Sequence, residues 1–302
     1  MKIYKRVFIS LAGLFILIIL YSSIKIIRKD TQIEKYESFH EKFQVLGQKL
    51  DSLPRIEWSF PCPAFYINLD SDVEKNKFIQ DQIQYYNCGS GVTRVSAIDG
   101  RQSKPEFLDV FGTQYPIVSN LTLTNPELGC LLSHLKVIIQ GYLLGYESII
   151  VLEDDAYFKH ARLWKKNVSQ IAQDAPQDWN ILNLYSSTLC CKNFFDTTEY
   201  VKHTSDQRCY LTACYIINRR GMQNIMNEIQ FGSNIIYLHT DNIDDYHAAD
   251  ELLFKWAGNT YFVKPTTVFA YNDNEAMKTS IQGSEDLQNQ LENASHVLSQ
   301  FT

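Results

Sequence analysis

Three acidic residues in a row, Glu153, Asp154 and Asp155, end the apolar run Ile-Ile-Val-Leu at positions 149–152. A β-branched, uncharged run of this length, with Gly145 upstream, reads as a short buried strand. Carboxylates about 6 Å apart repel by roughly 3 kcal/mol per pair at an effective dielectric of 20. Such a cluster needs compensation, from a divalent cation or from bulk water. Side chains alternate along a strand, so Glu153 and Asp155 are expected on one side and Asp154 on the other. Oxygen ligands on a short rigid segment suit Mg²⁺ or Mn²⁺, whose shells are completed by water and often by substrate phosphates. The bland alternative is a solvated loop whose acids cap the next element. A second acidic cluster, at 239–254, holds Asp241, Asp244, Asp245, His247, Asp250 and Glu251. Asp250 and Glu251 precede an apolar helical run, where helix capping competes with a general-base role. An attacking hydroxyl must shed its proton, and a placed carboxylate can accept it.

These acids need a scaffold. Residues 64–69 read as a strand, 72–86 as a helix, and 92–100 as a second strand closing on the Asp99-Gly100 turn. Positions 101–122 read as loop with short pieces. A helix then opens with Asn125 as cap, Pro126 at its first position and Glu127 at the positive end of its dipole. Leu128, Leu131, Leu132, Leu135, Ile138, Ile139 and Tyr142 give it a broad apolar face. The acid-tipped strand 148–155 follows, then a helix near 160–173 and strands at 179–185 and 210–218. Helices at 219–229 and 248–258 and a strand at 260–265 complete the pattern. Strands alternating with helices imply an α/β layered domain with a mostly parallel central sheet. Ligands of such sheets bind beyond the carboxyl ends of the strands, which is where Glu153, Asp154 and Asp155 would stand.

The 302-residue chain is long enough for a sizeable core, and 45% hydrophobic and 21% charged residues are ordinary for a globular protein. A net charge of −6 leaves no basic surplus for neutralising phosphates along a nucleic acid. Positions 7–24 are uncharged and apolar, with lysines and arginines on either side. Eighteen helical residues span roughly 27 Å, close to the thickness of a bilayer core. Residues 7–27 are therefore expected to be a transmembrane signal anchor. A cleaved signal peptide is the rival, which the poor cleavage site at Tyr21-Ser22-Ser23 disfavours. The flanking charges nearly balance, and the shortness of the amino-terminal tail favours a cytosolic tail with the rest on the lumenal or outer side. Positions 28–60 read as a helical stem. Tyr36, Phe39, Phe43, Leu46, Leu50 and Leu53 form a short heptad seam that could make a homodimer. A domain at 61–283 and a polar tail at 284–302 follow. Asparagine sequons begin at Asn120, Asn167 and Asn293. Seven cysteines without a CxxC pair leave both disulfides and free thiols open.

Four stretches, FYINLD (65–70), RVSAIDG (94–100), LTNPELGCLLSH (123–134) and IIVLEDDA (149–156), stand in an order and spacing that resembles glycosyltransferase family 25. That family includes lipooligosaccharide and collagen hydroxylysine galactosyltransferases. ACYIINRRG (213–221), AADELLF (248–254) and the segment from Pro265 to TSIQG (279–283) extend the likeness over residues 64–283. The resemblance implies a GT-A-like nucleotide-sugar-binding domain, a UDP-sugar donor and Mn²⁺ or Mg²⁺. Glu153 and Asp155 would then hold the metal. Asn68, Leu69, Asp70, Asp99 and Asp154 would line the nucleotide. Glu127, Ser133 and His134 fall in the helix block, and Asp250, with Glu251 beside it, would take the acceptor proton in an inverting transfer. Galactose is the first candidate sugar and glucose the next, with a glycan or glycoprotein hydroxyl as acceptor. Where the family often carries an Asp-Arg pair after the first strand, this chain has Lys75 and Lys77. A non-catalytic binding or adhesion homologue and a metal-dependent phosphohydrolase are the rival readings. The latter lacks the spaced histidines of a two-metal site.

Overall fold

The strands nearest the acids are apolar at almost every position, so each must bury both faces. The computed structural model describes residues 60–89, 91–158, 166–184, 199–204, 212–239, 249–263 and 270–271. All of them belong to the compact unit Leu53–Gln290. The strands are β1 (Ala64–Asn68), β2 (Val92–Ser96), β3 (Phe107–Val110), β4 (Thr113–Ser119), β5 (Ser148–Glu153), β6 (Ala156–Tyr157), β7 (Ile181–Asn183), β8 (Tyr200–Lys202), β9 (Cys214–Asn218), β10 (Ile236–Leu238), β11 (Thr260–Val263) and β12 (Ala270–Tyr271). The helices are α1 (Val73–Tyr85), α2 (Asn125–Leu143), α3 (Val168–Asp174), α4 (Arg219–Glu228) and α5 (Ala249–Ala257).

A seven-stranded sheet in the order β2-β1-β5-β9-β7-β11-β8 forms the middle layer. The period-two alternation sorts its side chains into two cores. Phe65, Ile67, Ile149, Val151 and Ile217 pack with the apolar faces of α2, α4 and α5. Ala64, Tyr66, Ile150, Leu152 and Ile216 pack with Ile79 of α1 and with Val168 and Ile171 of α3. Full burial of each large aliphatic side chain contributes about 1.5–3 kcal/mol, which makes the sheet a rigid base for whatever projects from its edge. Register completes the arrangement. Asn68 pairs with Ser96 and Ile67 with Glu153, so the carboxyl ends of β2, β1 and β5 finish side by side.

In the sheet, β2, β1, β5, β7 and β11 run parallel, while β9 runs against both β5 and β7, and β8 against β11. The apolar run of β9 is equally compatible with either direction, so its sequence carried no sign of this reversal. The reversal matters because it brings the start of β9 to the acidic edge, where the Glu153 amide donates to the Ala213 carbonyl at 2.9 Å.

Two expectations are corrected. Part of the region expected as loop, 101–122, forms a β3–β4 hairpin, extended by β10 parallel to β4 into a three-stranded sheet. Its two-residue turn places Phe111 at φ 52° and Gly112 at φ 81°. That backbone normally selects Asn-Gly or Asp-Gly, so a phenylalanine concealed the turn. Helix α2 is capped by Thr124 rather than Asn125. The Thr124 hydroxyl accepts from the Glu127 amide while Glu127 accepts from the Thr124 amide, a reciprocal capping box.

Among the described residues no helix is long and apolar enough to cross a membrane. The expected anchor at 7–27, nearly all of the stem at 28–60 and the tail at 284–302 lie outside the described residues. Cys62, Cys88, Cys130 and Cys214 are free thiols, and Cys190, Cys191 and Cys209 lie outside.

Candidate active site

The three carboxylates do not follow the alternation expected of them. Strand β5 ends at Glu153, and Asp154 and Asp155 form a turn, so the pleat no longer dictates which way they face. Glu153 stays on the sheet edge. Its Oε1 accepts from the Thr212 hydroxyl at 2.7 Å and lies 3.5 Å from His134 Nε2. His134, 1% exposed, has its Nδ1 3.1 Å from the Tyr215 hydroxyl. With Glu153 at Nε2, the partners favour a ring that donates there and accepts the Tyr215 proton at Nδ1. Asp154 is fixed by the first strand, since Asn68 Nδ2 donates to its Oδ2 at 2.7 Å. Asn68 is held in turn by Arg94, whose Nε donates to Asn68 Oδ1 at 3.0 Å. A chain of side chains thus runs Arg94–Asn68–Asp154 across β2, β1 and the turn after β5.

The cation that meets these acids comes from helix α1. Lys75 Nζ lies 3.7 Å from Asp154 Oδ1 and 3.9 Å from Asp155 Oδ2, with the lysine only 7% exposed. Burial lowers the Lys75 pKa, but Asp155, Asp154, Asp72 and Glu153 outweigh that effect and the net shift is upward. Among the acids the shifts diverge. Burial, helped by Glu153, drives Asp155 well above the usual carboxylate range, and burial raises Asp154 despite Lys75 and Asn68. Burial also pushes Glu153 upward, but His134, Thr212 and Lys75 reverse the balance and hold it below its ordinary value. Glu153 is therefore the acid most firmly kept as an anion.

These positions fit a metal held by Glu153 and Asp155 poorly. Glu153 is engaged with His134 and Thr212, and Asp155 turns towards Lys75. Among the described residues no three His, Cys, Asp or Glu side chains converge on a point where they could hold an ion. A divalent ion on the Asp154 and Asp155 oxygens would stand about 4 Å from the ammonium, a repulsion of roughly 8 kcal/mol at an effective dielectric of 20. One feature is left over: Asp155 Oδ1 is buried without a hydrogen-bond partner.

Beside the acids is an open cavity of about 110 Å³, whose wall includes Asn68, Leu69, Lys75, Asp99, His134 and the three acids. One side is built by close backbone approach. A Cβ on Gly100 would overlap the Asn125 carbonyl, and one on Gly129 would come within 2.5 Å of the Ile98 carbonyl. Ser133 ties the same pieces together, donating to Gly129 O at 2.7 Å and accepting from the Ile98 amide at 2.8 Å. Asp99 is clamped by Arg101, whose Nε and Nη2 donate to it at 2.8 and 2.7 Å, and these bonds lower its pKa to about 2. Both residues face the cavity.

Asn68, Leu69, Asp99, Asp154, Glu153 and Asp155 are therefore brought together. Asp70 is not among the lining residues. It is exposed and held by Arg94 at 2.6 Å and Ser96 at 2.8 Å, bonds that lower its pKa. Glu127 is engaged in the helix cap. Asp250, 6% exposed in the first turn of α5, accepts from the Glu251 amide at 3.0 Å. Neither Asp250 nor Glu251 is among the residues that line the cavity. Asp241, Asp244, Asp245 and His247 lie outside the described residues. Arg94, Thr212 and Tyr215 escaped the sequence reading. Nothing in a single chain marks a threonine two residues before a strand as the partner of a glutamate on its neighbour.

Residues 62–243, more than half of the chain, match the profile of glycosyltransferase family 25, described as LPS biosynthesis protein. The chain belongs to glycosyltransferase family 25. Procollagen galactosyltransferase 2 of Homo sapiens is 26% identical to it over 147 residues, which make up 46% of this chain and 23% of that protein. The family 25 chain thus matches about a quarter of the length of this relative. The family 25 match takes in β1, β2 and β5, which end in Asn68, Ser96 and Glu153, and β9, which Thr212 precedes by two residues.

Proposed function

We propose that this protein is a membrane-anchored hexosyltransferase with a GT-A-like domain. It moves a sugar, galactose in first place and glucose in second, from a UDP-sugar to a hydroxyl of a glycan or glycoprotein, inverting the anomeric centre. The observation that carries this reading is the meeting of Asn68, Lys75, the Asp99-Gly100 turn and the Glu153–Asp155 acids in one cavity at the carboxyl edge of the sheet. Ligands of α/β sheets bind at that edge. The relative named for a galactosyltransferase activity supports the choice of sugar.

In this reading the diphosphate lies against the start of α1, and Asn68, fixed by Arg94, keeps Asp154 from swinging across its path. The acceptor oxygen attacks the anomeric carbon as the bond to UDP breaks. Its proton passes to Asp250, or to neighbouring Glu251. Negative charge gathering on UDP meets Lys75 and Arg101, the lysine and arginine of the cavity wall. Fixed charges aimed at developing charge lower a barrier without reorganising during the reaction. The apolar segment 7–27 would anchor the chain, and the 28–60 stem would hold the domain on the lumenal side, with its heptad seam available for a homodimer.

The test is a donor panel. The purified full chain is offered UDP-galactose, UDP-glucose, UDP-N-acetylglucosamine and GDP-mannose, and nucleotide release is followed with and without glycan acceptors. Release from UDP-galactose should exceed that from the other donors. Preference for the GDP-sugar, or no turnover of any donor, would overturn the reading.

A further inference from the structure

Buried lysines are rare because an ammonium loses its hydration, and one is retained where carboxylates replace the water. Lys75 is such a residue. It stands in the first turn of α1, 7% exposed, with its Nζ near one oxygen each of Asp154 and Asp155, and it lines the same cavity as Asn68, Asp99 and Arg101. The amino-terminal end of α1 adds partial positive charge at that wall. Neighbouring Lys77, by contrast, is spent on an exposed i,i+4 pair with Asp81. We propose that Lys75 is the resident cation of the donor site, placed between Asp154 and Asp155 to receive the diphosphate of the UDP-sugar without a divalent ion. This deepens the hexosyltransferase reading and rests on it.

The geometry gives the lysine two functions. It compensates the acid pair while the site is empty, and its ammonium is the charge a diphosphate meets on entering. Asp155 Oδ1 is the one oxygen of the pair left over. A single spare oxygen, on a carboxylate whose other oxygen already faces the ammonium, is a poorer anchor than the one or two free carboxylates that usually hold such an ion beside substrate phosphates. Removing the ammonium would release Asp154 Oδ1 and Asp155 Oδ2 together, and that vacancy would suit a divalent ion.

UDP binding to the detergent-solubilised full chain, followed by calorimetry in EDTA and in Mn²⁺, tests this directly. The wild type should bind UDP equally well in both buffers. Lys75→Met should weaken binding in EDTA by about 10–100-fold, the range of one charged hydrogen bond. Added Mn²⁺ should restore it, and Mn²⁺ alone should bind the variant more tightly than the wild type. Lys75→Arg should keep binding in EDTA, which a merely structural role for the lysine does not require. Should Lys75→Met fail to fold, the wild-type and Lys75→Arg measurements still decide. Wild-type binding that collapses in EDTA and returns with Mn²⁺ overturns the proposal while leaving the UDP-sugar reading intact. So does a folded Lys75→Met chain that binds as the wild type does in EDTA. No UDP binding in either buffer removes both.

Discussion

At the scale of single residues, neighbouring acids are separated by what each one touches. Glu153, against His134 and Thr212, is held as an anion, whereas Asp155, buried and facing another acid, resists ionisation. Asp250 and Glu251 are adjacent in sequence, yet Asp250 is buried and Glu251 half-buried. The proposed base therefore predicts an asymmetric pair of variants. Asp250→Asn should lower kcat by about 10²–10⁴ with an unchanged circular dichroism spectrum, and Glu251→Gln should lower it far less. Equal losses would move the base elsewhere. Asp99 gives a pH test. Its folded pKa of about 2 lies below the ordinary carboxylate value, so the folded state binds this proton less readily than the unfolded chain. The stabilisation from the Arg101 clamp is present above pH ~4 and is lost as the pH falls towards 2. Arg101→Ala should return the Asp99 pKa, read by carboxyl NMR, to near its ordinary value. It should also flatten that acid limb of the stability profile.

At the scale of elements, the cavity depends on two backbones that touch. Gly100 follows β2 and Gly129 lies inside α2, and a methyl group at either would strike backbone that has nowhere to go. Gly129→Ala should cost about 1–3 kcal/mol in urea denaturation despite alanine's better helix propensity, and Gly100→Ala at least as much. Gly141 sits on the same helix, but the nearest atoms to an added Cβ are side-chain carbons of Ile149 at 2.9 and 3.0 Å, which can rotate. Gly141→Ala should be the mildest of the three, and a reversed order would mean that the helix is free to shift. The start of α2 is tested separately. Thr124→Ala removes the hydroxyl half of the capping box, leaving the Glu127 carboxylate on the amide of position 124, and should cost about 1 kcal/mol.

For the whole molecule, the proposed topology places the sheet domain on the lumenal side of a membrane. Asn120 is exposed after β4, and Asn167, also exposed, has its side chain accepting from the Gln170 amide as the cap of α3. Expressed in a eukaryotic secretory pathway, the full chain should carry a glycan at Asn120. A glycosidase-sensitive mass shift that disappears in Asn120→Gln would show it. A chain that stays unmodified and protease-accessible from the cytosolic side would place the domain on the opposite face. Because the two sheet cores and the cavity wall are assembled from residues at position 60 and beyond, a fragment covering 60–283 should melt cooperatively and bind UDP as the full chain does.

Local chemistry written in the sequence determined a good deal. The apolar runs of β1, β5 and β9 and the amphipathic α2 follow from hydrophobic periodicity, and the acids at the end of β5 follow from where the apolar run stops. Motif order alone was enough to suggest the family. Tertiary structure decided the rest, because those features depend on partners distant in the chain. The direction of β9 is invisible in an apolar strand, yet it delivers Thr212 to Glu153 across 59 positions. Strand alternation could not predict that Asp154 and Asp155 would both turn to Lys75, because a turn obeys no pleat. The composition of the first helix likewise gave no sign that Lys75 would be buried and Lys77 exposed. That difference arises only when α1 lays its first turn across the acidic edge of the sheet, where burial makes each charge answer to its immediate neighbours rather than to water.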